Sequence, residues 1–520
     1  MAALRAGDTS KAGREARRLT KMVPNEADAW QLRAMIAQQT EAHEGAAKYL
    51  RRARQLKPND PTILINLGGL NREIGKPEEA MECYRQCLDQ QPNNPDAAYN
   101  LGAVLLELDR FGEAETVIRT GLASRPDDYD MLLNLAAALL KQKKLRAALD
   151  TYEQLAKLGH ENADVLQGLY QSALGLGQLE EADRAVQRLL EIAGDDPKYH
   201  VYASMLYLLT GRWRDGWKAY AARWRWQPGA ARPFSQPWWG GEDQAGKTIL
   251  LWGEQGLGDE VMFASMVPDL VDNEVRILLE TDKRLVGLFQ RSFPNILCLA
   301  RKDPPDPRTV SADFQLPTTN LGNHFRPDEA SFKGGKPFLV PDGERVEHLR
   351  RAYRKKFAKS ASDLLIGITW RSLNARYGVS KSMLLDDMCP ILETPGAAFV
   401  NLQYGDTTVE CTDFKERTAI IIHHDADIDP MVDIDGHATQ VAAMDLIISI
   451  SNTTAHIAGA MGVPAWIMLH MVPDRRWLMA RDDSPWYSSV RLFRQKGLGD
   501  WTAPVDRVKR ELAELIQGHG

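Results

Sequence analysis

Cysteine is scarce in this sequence: five residues in 520, Cys83, Cys87, Cys298, Cys389 and Cys411, odd in number and scattered. No CxxC pair occurs, which argues against both a disulfide framework and a structural zinc site and fits a reducing compartment. An excess of one charge is lacking too. Lys and Arg number 64 against 70 Asp and Glu, a net charge of -6, so no global field draws in a nucleic acid, and any anion site must be local. Nowhere do about 18 apolar residues run together, and Met1-Ala-Ala-Leu-Arg-Ala-Gly-Asp8 has no apolar signal-peptide core. The expectation is a cytoplasmic chain without a membrane span. With 44% hydrophobic and 26% charged residues the composition is globular. The length exceeds one hydrophobic core, so roughly two to four domains are expected.

What is present is a period. Pro24, Pro58, Pro92 and Pro126 are spaced by 34, and Ala12, Ala46, Ala80, Ala114, Ala148 and Ala182 keep the same register. Small residues Ala34, Gly68, Gly102 and Ala136 recur on a first helix, and bulky Leu50, Tyr84, Ile118 and Tyr152 on a second. This resembles the tetratricopeptide pattern of paired antiparallel helices: small residues let helices approach, bulky ones fill the space beside them, and proline stops the second helix. Repeats are expected near 25–58, 59–92, 93–126, 127–160 and 161–194, with a degenerate sixth at 195–228 and a half repeat before them. Such an α-solenoid, assigned to 1–228, presents a concave surface that usually holds a protein or peptide. The competing reading is a spacer or dimerisation arm.

Six of the thirteen tryptophans (Trp213, Trp217, Trp224, Trp226, Trp238 and Trp239) fall between 213 and 239, interleaved with arginines. Aromatic and basic residues together can stack single-stranded nucleic acid. A buried junction is the preferred reading, because the cluster ends in a linker at 229–246, beside Pro228, Pro233 and Pro237.

From Lys247 strands and helices alternate. Strands are expected at Thr248–Trp252, Val275–Leu279, Ile296–Leu299 and Phe314–Leu316, with a helix over Glu260–Val271. After a basic helix around Glu344–Lys359, a second series opens at Leu364–Trp370 and continues at Ala398–Gln403, Ala419–Ile422, Asp445–Ile450 and Ala465–Leu469. Two Rossmann-like domains, 247–345 and 346–520, with a ligand between them, are the expected architecture.

The first loop, Gly253-Glu-Gln-Gly256-Leu-Gly258-Asp259-Glu260, has P-loop glycine spacing, but acids stand where Lys and Ser/Thr are required. A dinucleotide fingerprint fails at its third glycine, although Glu280 lies where a ribose-binding acid would. The loop still offers the Gly256 and Gly258 backbone, two acids and a helix start; Asp259 serves as cap, as functional acid, or as both. Ser451-Asn452-Thr453-Thr454-Ala455-His456 follows a strand and opens a helix, where free N–H groups and the helix dipole favour an anion such as a diphosphate. An ordinary N-cap explains one polar residue there, not four. His456 reaches the same anion or packs as a core histidine. Arg371 and Ser372 end one strand, where Arg371 can pair a phosphate, and Gln403 and Tyr404 end the next, where they can meet a base or sugar. His423, His424, Asp425, Asp427 and Asp429 suggest a metal, but Pro430 stands where a calcium loop needs glycine and Gly436 where it needs glutamate, so no metal is assigned.

Five segments together resemble the GT-B glycosyltransferases with N-terminal tetratricopeptide repeats, near the heptosyltransferase-like group: Trp252-Gly-Glu-Gln-Gly-Leu-Gly-Asp-Glu260, Gly367-Ile-Thr-Trp-Arg-Ser372, Asn401-Leu-Gln-Tyr-Gly-Asp406, Ser449-Ile-Ser-Asn-Thr-Thr-Ala-His456 and Asp482-Asp-Ser-Pro-Trp-Tyr487. The likeness extends to bacterial flagellin O-glycosyltransferases and protein O-GlcNAc transferases. It implies transfer of a sugar from a nucleotide donor, held mainly by the C-terminal domain, to Ser or Thr of a protein such as flagellin held by the repeats. Asp259 would be the general base with Glu260 as the alternative, Arg371 would bind donor phosphate, and Ser451, Asn452 and Thr453 replace an Asp-Thr-Gly turn, with His456 kept. No cofactor or metal is implied beyond the nucleotide-sugar co-substrate. The competing functions are a transferase for lipid-linked or capsular glycans and an inactive scaffold that binds partners.

Overall fold

The computed structural model describes residues 8–39, 43–242, 245–271, 275–374 and 378–519. The first seven residues, on which the absence of a signal peptide was read, lie outside this set, as do 243 and 244 of the linker. Contacts divide the chain into two compact units, Met1–Gly194 and Asp195–Gly520.

The first unit is all helical. A helix at Thr9–Met22 precedes five pairs: Ala27–Gln38 with His43–Leu56, Pro61–Glu73 with Pro77–Gln90, Pro95–Glu107 with Phe111–Leu122, Tyr129–Lys141 with Leu145–Lys157, and Ala163–Gly175 with Leu179–Ala193. Each pair falls within one expected repeat. The pairing depends on close approach: a Cβ added at Gly68 would lie 2.5 Å from the Tyr84 ring, and one at Gly102 would lie 2.4 Å from Ile118. Tyr84, Ile118 and Tyr152 fill one continuous core with Leu101 and Leu135. A periodic feature not singled out in the sequence also emerges. Asp60, Asn94, Asp128 and Asn162 each accept a backbone N–H from the first turn of the helix they precede, so every one of these helices starts from a side-chain cap.

The second unit begins with the sixth helix pair, Pro197–Leu209 and Trp213–Tyr220. Residues 195–228, assigned from sequence to the solenoid, therefore pack with the α/β region. The tryptophans explain why. Trp213 lies 4.6 Å from Phe332 by ring centroids, Trp217 lies 6.2 Å from Phe263, and the Trp217 indole donates to the Arg326 carbonyl at 2.9 Å. Trp213, Trp217 and Trp239 are buried as a junction requires, while Trp226 and Trp238 stay partly exposed. The linker is not free: Trp239 N–H donates to the Gln315 carbonyl and Gln315 N–H to the Pro237 carbonyl, both at 3.0 Å, along a sheet edge.

Two parallel sheets follow. The first, ordered β3-β2-β1-β4, comprises β1 (Thr248–Trp252), β2 (Arg276–Thr281), β3 (Leu297–Ala300) and β4 (Phe314–Pro317). The second, ordered β6-β5-β7-β8-β9, comprises β5 (Leu364–Ile368), β6 (Ala397–Asn401), β7 (Leu446–Ile450), β8 (Ala465–Leu469) and β9 (Val490–Arg494). β1, β5, β7 and β8 are buried throughout, as strands covered on both faces must be.

Three local expectations differ. Ala419–Ile422 is not a strand: Ala419 takes a left-handed conformation (φ 60°) that ends the helix Thr408–Thr418, and only His423 bridges to β6. The helix over Glu260–Val271 breaks into Leu257–Ala264 and Val267–Val271, with Pro268 in the first turn of the second piece. β9 was not expected. Among the described residues no helix is long and apolar enough to cross a membrane.

Candidate functional site

β1 runs into the glycine loop, and Gly253 N–H stays tied to the Glu280 carbonyl at 2.8 Å. Glu280, fully buried, is held by Arg232 at 2.9 Å through both oxygens, which removes it as a ribose ligand. The two loop acids then diverge. Glu260 turns back beneath the loop, accepting from the Thr281 hydroxyl at 2.6 Å, from Asp282 N–H at 2.9 Å and from Arg301. These bonds tie the loop to the ends of β2 and β3. Asp259 points the other way, into the second half of the unit, where Arg476 Nε donates to it at 2.9 Å.

Gly256 and Gly258 make this geometry possible. Gly256 caps the helix Leu257–Ala264 and its carbonyl accepts from Asp259 and Glu260 N–H. Gly258 abuts the polar turn after β7: a Cβ there would lie 2.8 Å from His456 Cδ2 and 3.6 Å from Thr453 Cα. The two sequence motifs thus touch through a residue with no side chain.

Within that turn the polar side chains divide their work. Asn452 is the N-cap, accepting from Ala455 N–H at 3.3 Å and donating to the Thr369 hydroxyl at 2.8 Å. Ser451 accepts from the Trp477 indole at 2.7 Å, and Thr454 pairs with His437 Nε2 at 3.0 Å. Thr453 alone of the four is partly exposed, and among the described residues its hydroxyl has no partner. His456 is sandwiched: its ring stacks on Trp477 at 5.0 Å, and Nδ1 lies 3.0 Å from the Tyr487 hydroxyl. Burial, reinforced by the nearby Arg476 charge, pushes it down to about 3, so it is a neutral packing group there.

The remaining sequence candidates brace the loop after β5. The Gln403 amide oxygen accepts from Trp370 and Arg371 N–H at 3.0 and 2.9 Å, and the Tyr404 hydroxyl accepts from Leu373 N–H at 3.2 Å. Ser372 N–H donates to the Ser382 hydroxyl. Arg371 pairs with Glu410 and donates to the Asp406 carbonyl at 2.6 Å, on the β6 side of β5, whereas the polar turn follows β7 on the other side. Asp425 and Asp429 accept backbone N–H groups two residues on, from Asp427 and Met431, and Tyr353 donates to Asp425.

Residues that the sequence reading passed over supply the positive charge. Arg476 also binds Asp474 at 2.9 Å, and Asp474 binds Lys381 at 2.8 Å. Burial opposes the charge of Arg476, but Asp259 and Asp474 more than compensate and hold the guanidinium above its ordinary value. Asp474 is likewise held well below the usual carboxylate range: burial would raise it, and Arg476 and Lys381 overcome that. The signal was available. Asp474-Arg475-Arg476-Trp477 follows β8 on the carboxyl edge of a parallel sheet, where ligands bind. On the equivalent edge of the first sheet a cavity of about 280 Å³ opens, lined among others by Tyr220, Arg223, Trp238, Asn320 and His324.

Comparison with known proteins bears on the repeats most directly. Tetratricopeptide-repeat families match residues 1–61, 72–139 and 139–204. Protein FlbA of Caulobacter vibrioides is 32% identical over 362 residues, covering 66% of this chain. That share exceeds the matched repeats, so the similarity runs on into the α/β region. The chain spans 60% of the length of FlbA. Among solved structures, the type IV pilus biogenesis factor PilW is similar at 24% identity with a TM-score of 0.33, over 38% of this chain and 91% of PilW. MamA of Desulfovibrio magneticus RS-1 is similar at 22% identity with a TM-score of 0.30, over 33% of this chain and 97% of MamA. The N-terminal region of this chain is a tetratricopeptide-repeat array, joined to an α/β region of two parallel sheets.

Proposed function

We propose that this chain is a protein O-glycosyltransferase of the GT-B type, moving a sugar from a nucleotide donor to Ser or Thr of a polypeptide held by the repeats, flagellin being the candidate acceptor. The observation that carries the reading is the meeting at Gly258, which sets an acid from the edge of the first sheet beside the helix start at the edge of the second. The chemistry fits that pairing. A Ser or Thr hydroxyl oxygen attacks the anomeric carbon, Asp259 takes its proton, and the bond from that carbon to the diphosphate oxygen breaks. On this reading the leaving charge develops at Thr453 and the start of the helix Thr453–Met461, with the linked cations Arg476 and Lys381 supplying positive charge. Arg371, held on the far side of β5, has no part in this scheme.

Release of nucleoside diphosphate from labelled nucleotide sugars tests the proposal. Purified chain is expected to release it faster when flagellin is added, and the Asp259→Asn variant is expected not to. No release with any donor, together with no nucleotide binding, would leave the scaffold reading in its place.

A further inference from the structure

Resting on that reading of the donor site, we infer that Arg476 is a shared ligand: it clasps Asp259 when the site is empty and turns to the donor diphosphate when one binds, so that donor arrival frees the base. The four charged groups alternate, Lys381, Asp474, Arg476, Asp259, and sum to zero. They are not held equally. Asp474 is fixed three times, by Lys381 at 2.8 Å, by the Arg476 guanidinium at 2.9 Å and by Arg476 N–H at 3.0 Å. The Asp259 carboxylate, among the described residues, is hydrogen-bonded by Arg476 alone.

Arg476 can therefore exchange Asp259 for another anion without leaving Asp474. Nη1 faces Asp474, while the Nε and Nη2 edge faces Asp259, and that edge is the fork that binds a phosphate in two places. The next residue anchors the switch to the donor turn, because the Trp477 indole donates to Ser451 at 2.7 Å and carries His456 on its face. While clasped, Asp259 is held through Oδ1 by both Nε and Nη2 of the guanidinium and is not free to turn to an acceptor hydroxyl. A diphosphate, with more charge than one carboxylate, wins the competition and releases the Asp259 carboxylate.

The sign of the effect makes the test sharp. Calorimetric titration of the whole chain with UDP, GDP, ADP, CMP and inorganic pyrophosphate identifies the best ligand, which is carried forward. Asp259→Asn, which removes the competing carboxylate, is expected to tighten its binding about fivefold or more. The charge-balanced double variant Asp259→Asn with Arg476→Met is expected to bind no more tightly than the unaltered chain. Saturable binding that Asp259→Asn leaves unchanged or weakens overturns this inference while leaving the donor reading intact. No binding by any of the five probes overturns both.

Discussion

His456 Nδ1 lies 3.0 Å from the Tyr487 hydroxyl in a site closed to water, with Trp477 stacked on the imidazole. His437, buried under the same turn, meets Thr454 at 3.0 Å. Burial pushes the two rings down to about 3 and about 4. In the unfolded chain each returns to about 6.5 and binds a proton that the folded state refuses. Stability is then fully present above about pH 6.5 and falls as the pH drops towards the folded values, by about 2 kcal/mol per ring at pH 5. Thermal unfolding of the unaltered chain and of His456→Gln at pH 8 and pH 5 checks this. The variant is expected to be less stable at pH 8 but to lose less on acidification; equal losses would count against a neutral buried imidazole.

The neighbouring threonines should separate cleanly. Thr453→Ala removes a partly exposed hydroxyl at the mouth of the turn and is expected to weaken nucleotide binding roughly fivefold with little change in melting temperature. Thr454→Ala removes the fully buried partner of His437 and is expected to cost about 1–2 kcal/mol of stability, with affinity nearly kept. Titration and thermal melts of both variants decide it. A reversed pattern would place the anion on the other side of the helix start.

Glu260 is expected to matter to the fold rather than to the proton transfer. Its carboxylate accepts from Thr281, Asp282 and Arg301 at 3% exposure, and Glu260→Gln would leave Arg301 without its charge partner. A loss of about 3 kcal/mol is expected on unfolding in urea. If Glu260→Gln instead melts normally and stops transfer as Asp259→Asn does, Glu260 is the base.

In the repeats, Gly68→Ala would drive a methyl group into the Tyr84 ring, 2.5 Å away. A destabilisation of about 1–3 kcal/mol of the helical unit is expected. Adding Tyr84→Leu, which clears that space, should recover part of the loss. Circular dichroism melts show whether it does, and additivity of the two changes would contradict direct packing.

The repeats were legible because a 34-residue register writes the same contact many times, so Gly68 with Tyr84 and Gly102 with Ile118 confirm one another. The buried strands were legible for a similar reason: fully apolar runs such as Ala465–Leu469 fit a sheet covered on both faces. Ile420–Ile422 misled because an apolar run does not reveal that Ala419 turns left-handed before it and leaves Ile421 exposed. At the site, the direction in which each side chain points was not legible. Asp259 and Glu260 are adjacent in sequence, yet helical spacing sends one towards Arg476 and the other towards Arg301. Arg371 sits on the expected sheet edge, but Glu410 and the Asp406 carbonyl draw it to the β6 side. Arg476 comes from a segment 217 positions after Asp259, a distance no local pattern spans.

Intact-mass spectrometry of flagellin, produced alongside this chain in a host lacking its own copy and supplied with nucleotide sugars, tests the central claim most directly. The account predicts a mass increase of one or more sugar residues on Ser or Thr with the unaltered chain and none with Asp259→Asn. An unmodified acceptor in both cases, or equal modification by the two chains, would contradict it.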